Sequence, residues 1–194
     1  MTVPFDAFAD LPDDALLVLY ANGDRDAARA LNVRLTPRAF GQAVRMLGDR
    51  AEAEDVAQEA MLRLWKIAPD WRQNEAKVTT WLYRVVANLC TDRLRRNRGV
   101  ELDSIPEPED DRESAEGELQ QRARMSALDV ALAQLPDRQR QAVVLRHIEG
   151  LGNPEIAEIM EISTEAVESL TARGKRALAA ILAERREELG YTDG

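Results

Sequence analysis

Residues 153–170 read NPEIAEIMEISTEAVESL. Asn153 followed by Pro154 is a cap with a first-turn proline, and Ser163 is a second cap. They bracket a short helix from Pro154 to Met160 and a tight turn at Glu161 and Ile162, after which a longer helix begins. Ile156, Ala157, Ile159, Ile162, Val167 and Leu170 predict one small shared core. This is a helix-turn-helix pattern, whose second helix normally enters the major groove of DNA. Ser169, Arg173 and Arg176 are the groove-side candidates, with Lys175 able to reach phosphate. Glu165 and Glu168 oppose that role, because carboxylates face a DNA backbone unfavourably. Many bihelical units bind no DNA, so the pattern alone leaves a purely structural pair open.

Outward from that stretch the chain continues to read as helix. Apolar residues recur at three and four rather than at two. The spacing predicts helices over 13–20 and 24–35. Thr36 with Pro37 reads as a cap and first-turn proline, so a separate helix is expected from there to Leu47, stopped by Gly48. Further helices are predicted near 51–67, 78–97, 119–134, 137–149 and 164–186. The fold class is all-α, with two small helical domains joined by an acidic linker.

Charge locates the linker. Residues 101–118, ELDSIPEPEDDRESAEGE, carry nine acids and one base, against a net charge of −9 for all 194 residues. The remainder of the chain is therefore close to neutral. Residues 84–98, RVVANLCTDRLRRNR, hold five arginines and one aspartate. Such segregation makes the overall acidity a poor guide to partners. The expected division is residues 1–97, an acidic linker at 98–125, residues 126–186 and a tail at 187–194. The acidic run is either a solubilising spacer or a mimic of a nucleic-acid strand.

Composition excludes several functions. Cys90 is the one cysteine and His147 the one histidine, which disfavours a disulfide framework, a Cys-based zinc site and a Ser/His/Asp set. Neither a P-loop nor a Gly-rich dinucleotide turn is present. The expectation is therefore no enzyme, no catalytic residue, no cofactor, no metal and no small-molecule substrate. No apolar run approaches the ~18 residues that would span a bilayer, and the acidic start does not read as a signal peptide. A cytoplasmic protein without membrane insertion is expected. His147 reads as a helix-end residue and Cys90 as a small packed thiol.

Two helices carry faces that a core does not use. On 51–67, Val56, Ala60, Leu64 and Ile67 form the apolar stripe, while Asp55, Gln58, Glu59 and Leu62 form a second stripe. That second stripe is either a solvated face or a docking surface for a basic helix. On 78–97, Leu82, Val85, Val86 and Leu89 form the buried stripe. Arg84, Asn88, Thr91, Asp92, Arg95 and Arg96 lie opposite. Guanidinium forks suit phosphate, Asn88 can read a base edge, and Trp71, Trp81 and Tyr83 nearby could stack on unpaired bases.

Taken together, AEDVAQEAMLRLW (53–65), WLYRVVANLCTDRLRR (81–96), the acidic linker and LPDRQRQAVVLRHIEGLGNPEIAEIMEIS (135–163) resemble an extracytoplasmic-function (ECF) sigma factor. These are the small two-domain members, group IV, of the sigma-70 family of bacterial RNA polymerase initiation factors. The resemblance runs from about residue 12 to 183. It implies that Asp55, Gln58, Glu59 and Leu62 contact core RNA polymerase, at the coiled coil of its largest subunit. It implies that Trp81, Arg84, Asn88, Asp92, Arg95 and Arg96 melt and hold the −10 element. It places Ser169, Arg173, Lys175 and Arg176 at the −35 element, with the C-terminal unit meeting the polymerase flap. Residues 165–178, EAVESLTARGKRAL, match the family at Val167, Ser169 and Arg173. They depart from it at Ala166, Glu168, Leu170 and Gly174. Gly174 inside a helix costs ~1 kcal/mol relative to alanine, for which close helix packing is the expected reason. The resemblance also implies control by an anti-sigma factor. The alternative is a sigma-factor mimic that sequesters an anti-sigma factor without touching DNA.

Overall fold

The computed structural model describes residues 8, 10–72, 76–100 and 127–184. The expected acidic run and tail lie outside the described residues. Among the described residues eight helices follow in order: α1 (Asp13–Ala21), α2 (Arg25–Leu47), α3 (Arg50–Ile67), α4 (Val78–Val100), α5 (127–133), α6 (Asp137–Val143), α7 (Asn153–Met160) and α8 (Thr164–Glu184). A 3-10 turn at Ala68–Asp70 extends α3, and a π turn at Val144–Ile148 extends α6. No strand occurs among the described residues, in keeping with the all-α reading.

Local chemistry sets the helix ends. The Asp24 carboxylate accepts the backbone N–H groups of Asp26 and Ala27 at the start of α2, and Asp49 accepts that of Glu52 at the start of α3. Gly48 closes α2 at φ 72°, where a glycine carries no Cβ penalty. Asp14, from α1, accepts the Val78 N–H at the start of α4.

The predicted break at Pro37 does not occur. Pro37 lies inside α2, and the Thr36 hydroxyl pairs with Asn32 Oδ1 at 2.9 Å instead of capping. Leu31, Leu35, Ala39, Gln42, Ala43 and Met46 form one buried stripe that crosses the proline. Interior proline disfavours a helix by ~3 kcal/mol. Burying a stripe of this length outweighs that. Val33, whose carbonyl loses its i+4 donor, is 55% exposed on the solvent side.

The helices α1–α4 close around one core in which Leu16, Leu17, Leu31, Leu35, Met46, Leu64 and Leu82 are wholly buried. Inside it, Gln42 Nε2 donates to the Tyr83 carbonyl at 3.1 Å and ties α2 to α4. The helices α5, α6 and α8 share a second core of Leu132, Leu135, Val143 and Val144, flanked by Leu178 and Ile181. Gly174 lies against α6, where a Cβ would come within 2.6 Å of Val143 Cγ2. Close packing is thus the reason for this glycine, as its cost had predicted.

A third cluster joins the two units. Tyr83 and Ala87 of α4 pack with Ala142, Leu145, Ile156, Ile159, Met160 and Val167. Beside it the buried Arg140 guanidinium donates to the Met46 carbonyl at the end of α2, and to the Ala133 and Leu135 carbonyls. No helix among the described residues is long and apolar enough to cross a membrane.

Candidate functional site

Three surfaces gather the sequence-predicted residues. The first is on α3. Ala53, Val56, Ala57, Ala60, Met61 and Leu64 are buried, which turns Asp55, Gln58 and Leu62 outward. These three line a groove of about 590 Å³ between α2 and α3, together with Phe40, Met61 and Trp65. Leu62 is 50% exposed, an apolar side chain held half in solvent at the groove's edge. Glu59 is on the same face but not in the groove lining. Its carboxylate accepts from Arg63 Nε at 2.9 Å.

The α2 wall of this groove was missed in the sequence. Asn32, Thr36 and Phe40 line it and recur at i, i+4 and i+8. The stripe is legible only if α2 is continuous, and the assumed break at Pro37 cut it in two. Arg50 closes one end, with its guanidinium carbon 5.2 Å from the Phe40 ring centroid.

The second surface is on α4. Val78, Leu82, Val86, Leu89 and Cys90 are buried, with Val85 partly so. Asn88, Arg95 and Arg96 are exposed. Asp92 accepts from Arg95 Nη2 at 2.6 Å, and its backbone carbonyl accepts from Arg96 Nε at 3.4 Å. The aspartate carboxylate thereby fixes Arg95, while Arg96 rests on a helix carbonyl, both beside an open asparagine. Trp81 is half-buried and meets Trp71 edge to face, centroids 6.3 Å apart.

Two predicted members of that surface point elsewhere. Tyr83 is only 4% exposed, and its hydroxyl donates to Glu149 Oε2 at 2.7 Å. Burial first, then the carboxylate, raises its pKa well above the ordinary tyrosine value. It is not part of an open stacking platform. Arg84 Nη2 donates to both the carbonyl and the carboxylate of Glu158, each at 3.0 Å. Both depart from expectation because α7 packs on this part of α4, a contact between residues far apart in sequence.

The third surface is the helix-turn-helix of α7 and α8. The turn passes through Glu161 at φ 53°, a left-handed position for a non-glycine residue. The Ser163 hydroxyl accepts the Ala166 N–H at 3.2 Å, as its capping role predicted. Asn153 does not cap. Glu155 instead accepts the Gly152 N–H at 3.0 Å, and Asn153 Nδ2 donates to Glu168 at 3.3 Å. That bond draws Glu168 toward α7. Ser169, Arg173, Lys175 and Arg176 are all exposed on α8. Arg173 and Arg176 rest on the carbonyls of Ser169 and Ala172. His147 lies near this helix, and its pKa is lowered by burial and by the charges of Lys175 and Arg146. Among the described residues no group of three or more His, Cys, Asp or Glu could hold a metal ion.

Comparison with known proteins places the chain in a lineage. The family model for Sigma-70 region 2 matches residues 33–100, and that for Sigma-70 region 4 matches residues 125–178. The ECF RNA polymerase sigma factor SigW of Bacillus subtilis is 32% identical over 167 residues, covering 80% of this chain and 89% of that protein. The RNA polymerase sigma-H factor of Pseudomonas aeruginosa is 30% identical over 177 residues, covering 86% and 91%. Among solved structures, CnrH in complex with the cytosolic domain of CnrY is 27% identical, with a TM-score of 0.63 over 89% of this chain and 97% of that one. The sigma factor RpoE, in complex with the anti-sigma factor NepR from Bartonella quintana, has the same fold at 19% identity, TM-score 0.63, over 78% and 94%.

Proposed function

Because the chain belongs to the ECF RNA polymerase sigma factors of the sigma-70 family, we propose that its three surfaces divide the work of promoter selection. The protein is an alternative sigma factor, a transcription initiation factor that acts with core RNA polymerase on promoter DNA. The division of the chain follows the sequence reading: residues 1–97 take the polymerase and the −10 element, and residues 126–186 take the −35 element.

Asp55, Gln58 and Leu62, with Glu59 beside them, dock the coiled coil of the polymerase's largest subunit. A basic helix fits this groove because Leu62 offers an apolar anchor and the acid and amide groups set register. Asn88, Arg96 and the Asp92-paired Arg95 hold a melted strand of the −10 element, with Trp81 at the edge. Extruding a base costs a few kcal/mol, which stacking and hydrogen bonds to its edge offset. Arg84 joins them once released from Glu158. Ser169, Arg173, Lys175 and Arg176 face the −35 element, and the C-terminal unit meets the flap. An anti-sigma factor holds the protein inactive in the cytoplasm. The observation that carries this reading is the pairing of Arg95 with the Asp92 carboxylate, next to an exposed Arg96 and an exposed Asn88.

Run-off transcription on fragmented genomic DNA with purified core polymerase, with 5′ ends sequenced, tests it. New start sites sharing one −35/−10 pair are expected. No starts and no binding to core would leave only a mimic that sequesters an anti-sigma factor.

A further inference from the structure

Carboxylates face a DNA backbone unfavourably, yet α8 begins with two, Glu165 and Glu168. Their fates differ. Glu165 is held below the usual carboxylate range first by its own backbone N–H and then by the Ser163 hydroxyl. It belongs to the helix cap. Glu168, exposed and three residues on, is steadied from the neighbouring helix instead. Asn153 Nδ2, on the first residue of α7, donates to Glu168 Oε1 at 3.3 Å. Glu168 has no other partner among the described residues, so Oε2 is left open. Glu168, Ala172, Lys175 and Arg176 recur at i, i+4, i+7 and i+8, and all are exposed. They share one face of α8, turned away from the buried Val167 and Gly174. Along that face come an acid near the helix start, a methyl group and then two cations. In a helix-turn-helix the first residues of the second helix meet base edges, and the cations further on suit phosphate. The acid therefore stands where bases are read.

We infer that Glu168, steadied by Asn153, is a specificity residue that selects cytosine at one position of the −35 element. The inference rests on the sigma-factor reading above. In the major groove cytosine presents an amino donor, guanine two acceptors, and thymine an acceptor beside a methyl group. An ionised carboxylate only accepts. It pairs with cytosine and is repelled by guanine and thymine. Adenine sets its N7 acceptor beside its amino donor, so the second carboxylate oxygen meets a lone pair there. Glu168 also repels phosphate, so it adds little to total affinity. Its effect is to refuse the wrong bases, which is how specificity is gained without tighter binding. Asn153 is a positioning residue: it holds the carboxylate in one orientation before DNA arrives. A merely solvated acid at this place would act on phosphates alone and weaken every sequence alike.

The test uses the full chain assembled with core polymerase, on a promoter obtained by the run-off experiment with its −35 element randomised. Transcripts carry a barcode that identifies each promoter and are counted by sequencing. The unsubstituted chain is expected to favour cytosine over guanine about tenfold at one position, the scale of a base-edge pair. Glu168→Gln, whose amide donates as well as accepts, should erase that preference and leave every other position as it was. Asn153→Ala should weaken the preference at the same position only. Glu165→Gln removes an equal charge from the same turn of α8 and should change no base preference. All three side chains lie outside the buried cores, so the fold is not at stake. A Glu168→Gln variant whose output changes by one common factor across all sequences overturns the inference alone. So does an unsubstituted chain that transcribes but selects cytosine at no position that Glu168→Gln alters. An unsubstituted chain that neither binds core nor transcribes from any promoter overturns the sigma-factor reading, and the inference with it.

Discussion

A Cβ placed on Gly174 would stand 2.6 Å from Val143 Cγ2 and 3.1 Å from the Gln139 carbonyl oxygen. The usual sign of a glycine-to-alanine change in a helix is therefore reversed here. Alanine gains ~1 kcal/mol of helix propensity, but overpacking against a buried valine and a fixed carbonyl loses about 1–3 kcal/mol. Gly174→Ala is expected to destabilise the chain by ~1–2 kcal/mol in urea unfolding. Adding Val143→Ala should recover part of that loss, and two independent effects that simply add would show the contact to be slack.

At Arg140 one side chain holds several elements. Its donors reach the carbonyls of Met46 on α2 and of Ala133 and Leu135 around the end of α5. Arg140→Met keeps the bulk but leaves three carbonyls without that donor. Unsatisfied buried polar groups lose about 1–3 kcal/mol each, not additively. A fall of ~3 kcal/mol in unfolding free energy is expected. Arg140→Lys cannot fork to three acceptors and should recover less than half of it.

How far the fold was legible depends on how local its causes are. Gly48 and Ser163 act within one turn of their own position, and the helix ends they predicted are where the structure has them. The polar stripe of α3 was legible because 3.6-residue periodicity needs no partner. Pro37 misled because its local preference opposes a buried stripe that spans both sides of it. The fates of Tyr83 and Arg84 were hidden because their partners, Glu149 and Glu158, are 66 and 74 residues away. Asn153 and Glu155 compete for the same helix start, and only the geometry decides in favour of the glutamate.

Leu62 offers a clean test of the proposed polymerase groove. It is half exposed and contributes little to the core, so Leu62→Ala should leave the thermal midpoint within about 1 °C. Losing a leucine anchor from a docked interface amounts to ~1.5–3 kcal/mol, so affinity for core polymerase is expected to fall at least tenfold. Asp55→Asn, by contrast, should slow association and reduce its dependence on salt. An unchanged affinity for Leu62→Ala, measured by fluorescence anisotropy, would move the docking surface elsewhere.

Substituting Arg95 and Arg96 tests whether DNA binding separates from polymerase binding. Arg95→Ala with Arg96→Ala should abolish run-off transcription and leave core affinity unchanged. Removing two phosphate contacts to a single strand should also flatten the slope of log K against log salt by roughly 1.4. Asp92→Asn keeps both arginines but loosens the 2.6 Å pair that aims Arg95. A smaller loss, confined to transcription, is expected. Full activity in the double alanine variant would show that the strand passes by another route.

Cys90 reports on the N-terminal core. It is buried, and burial, slightly offset by the Arg93 charge, pushes its thiol from 9.0 up to about 12. Thiolate is the reactive species, so at pH 8 an aromatic disulfide reagent should label the folded chain about a thousandfold more slowly than the urea-unfolded one. The same shift has a consequence for stability. The pKa is raised on folding, so the contribution is fully present below about 9 and is lost as pH rises toward 12, because the unfolded chain releases the proton first. Cys90→Ala removes that dependence. Its unfolding free energy, followed from pH 8 to pH 11, should fall less steeply than that of the parent. Equal slopes would mean that the thiol ionises as readily inside the core as outside it.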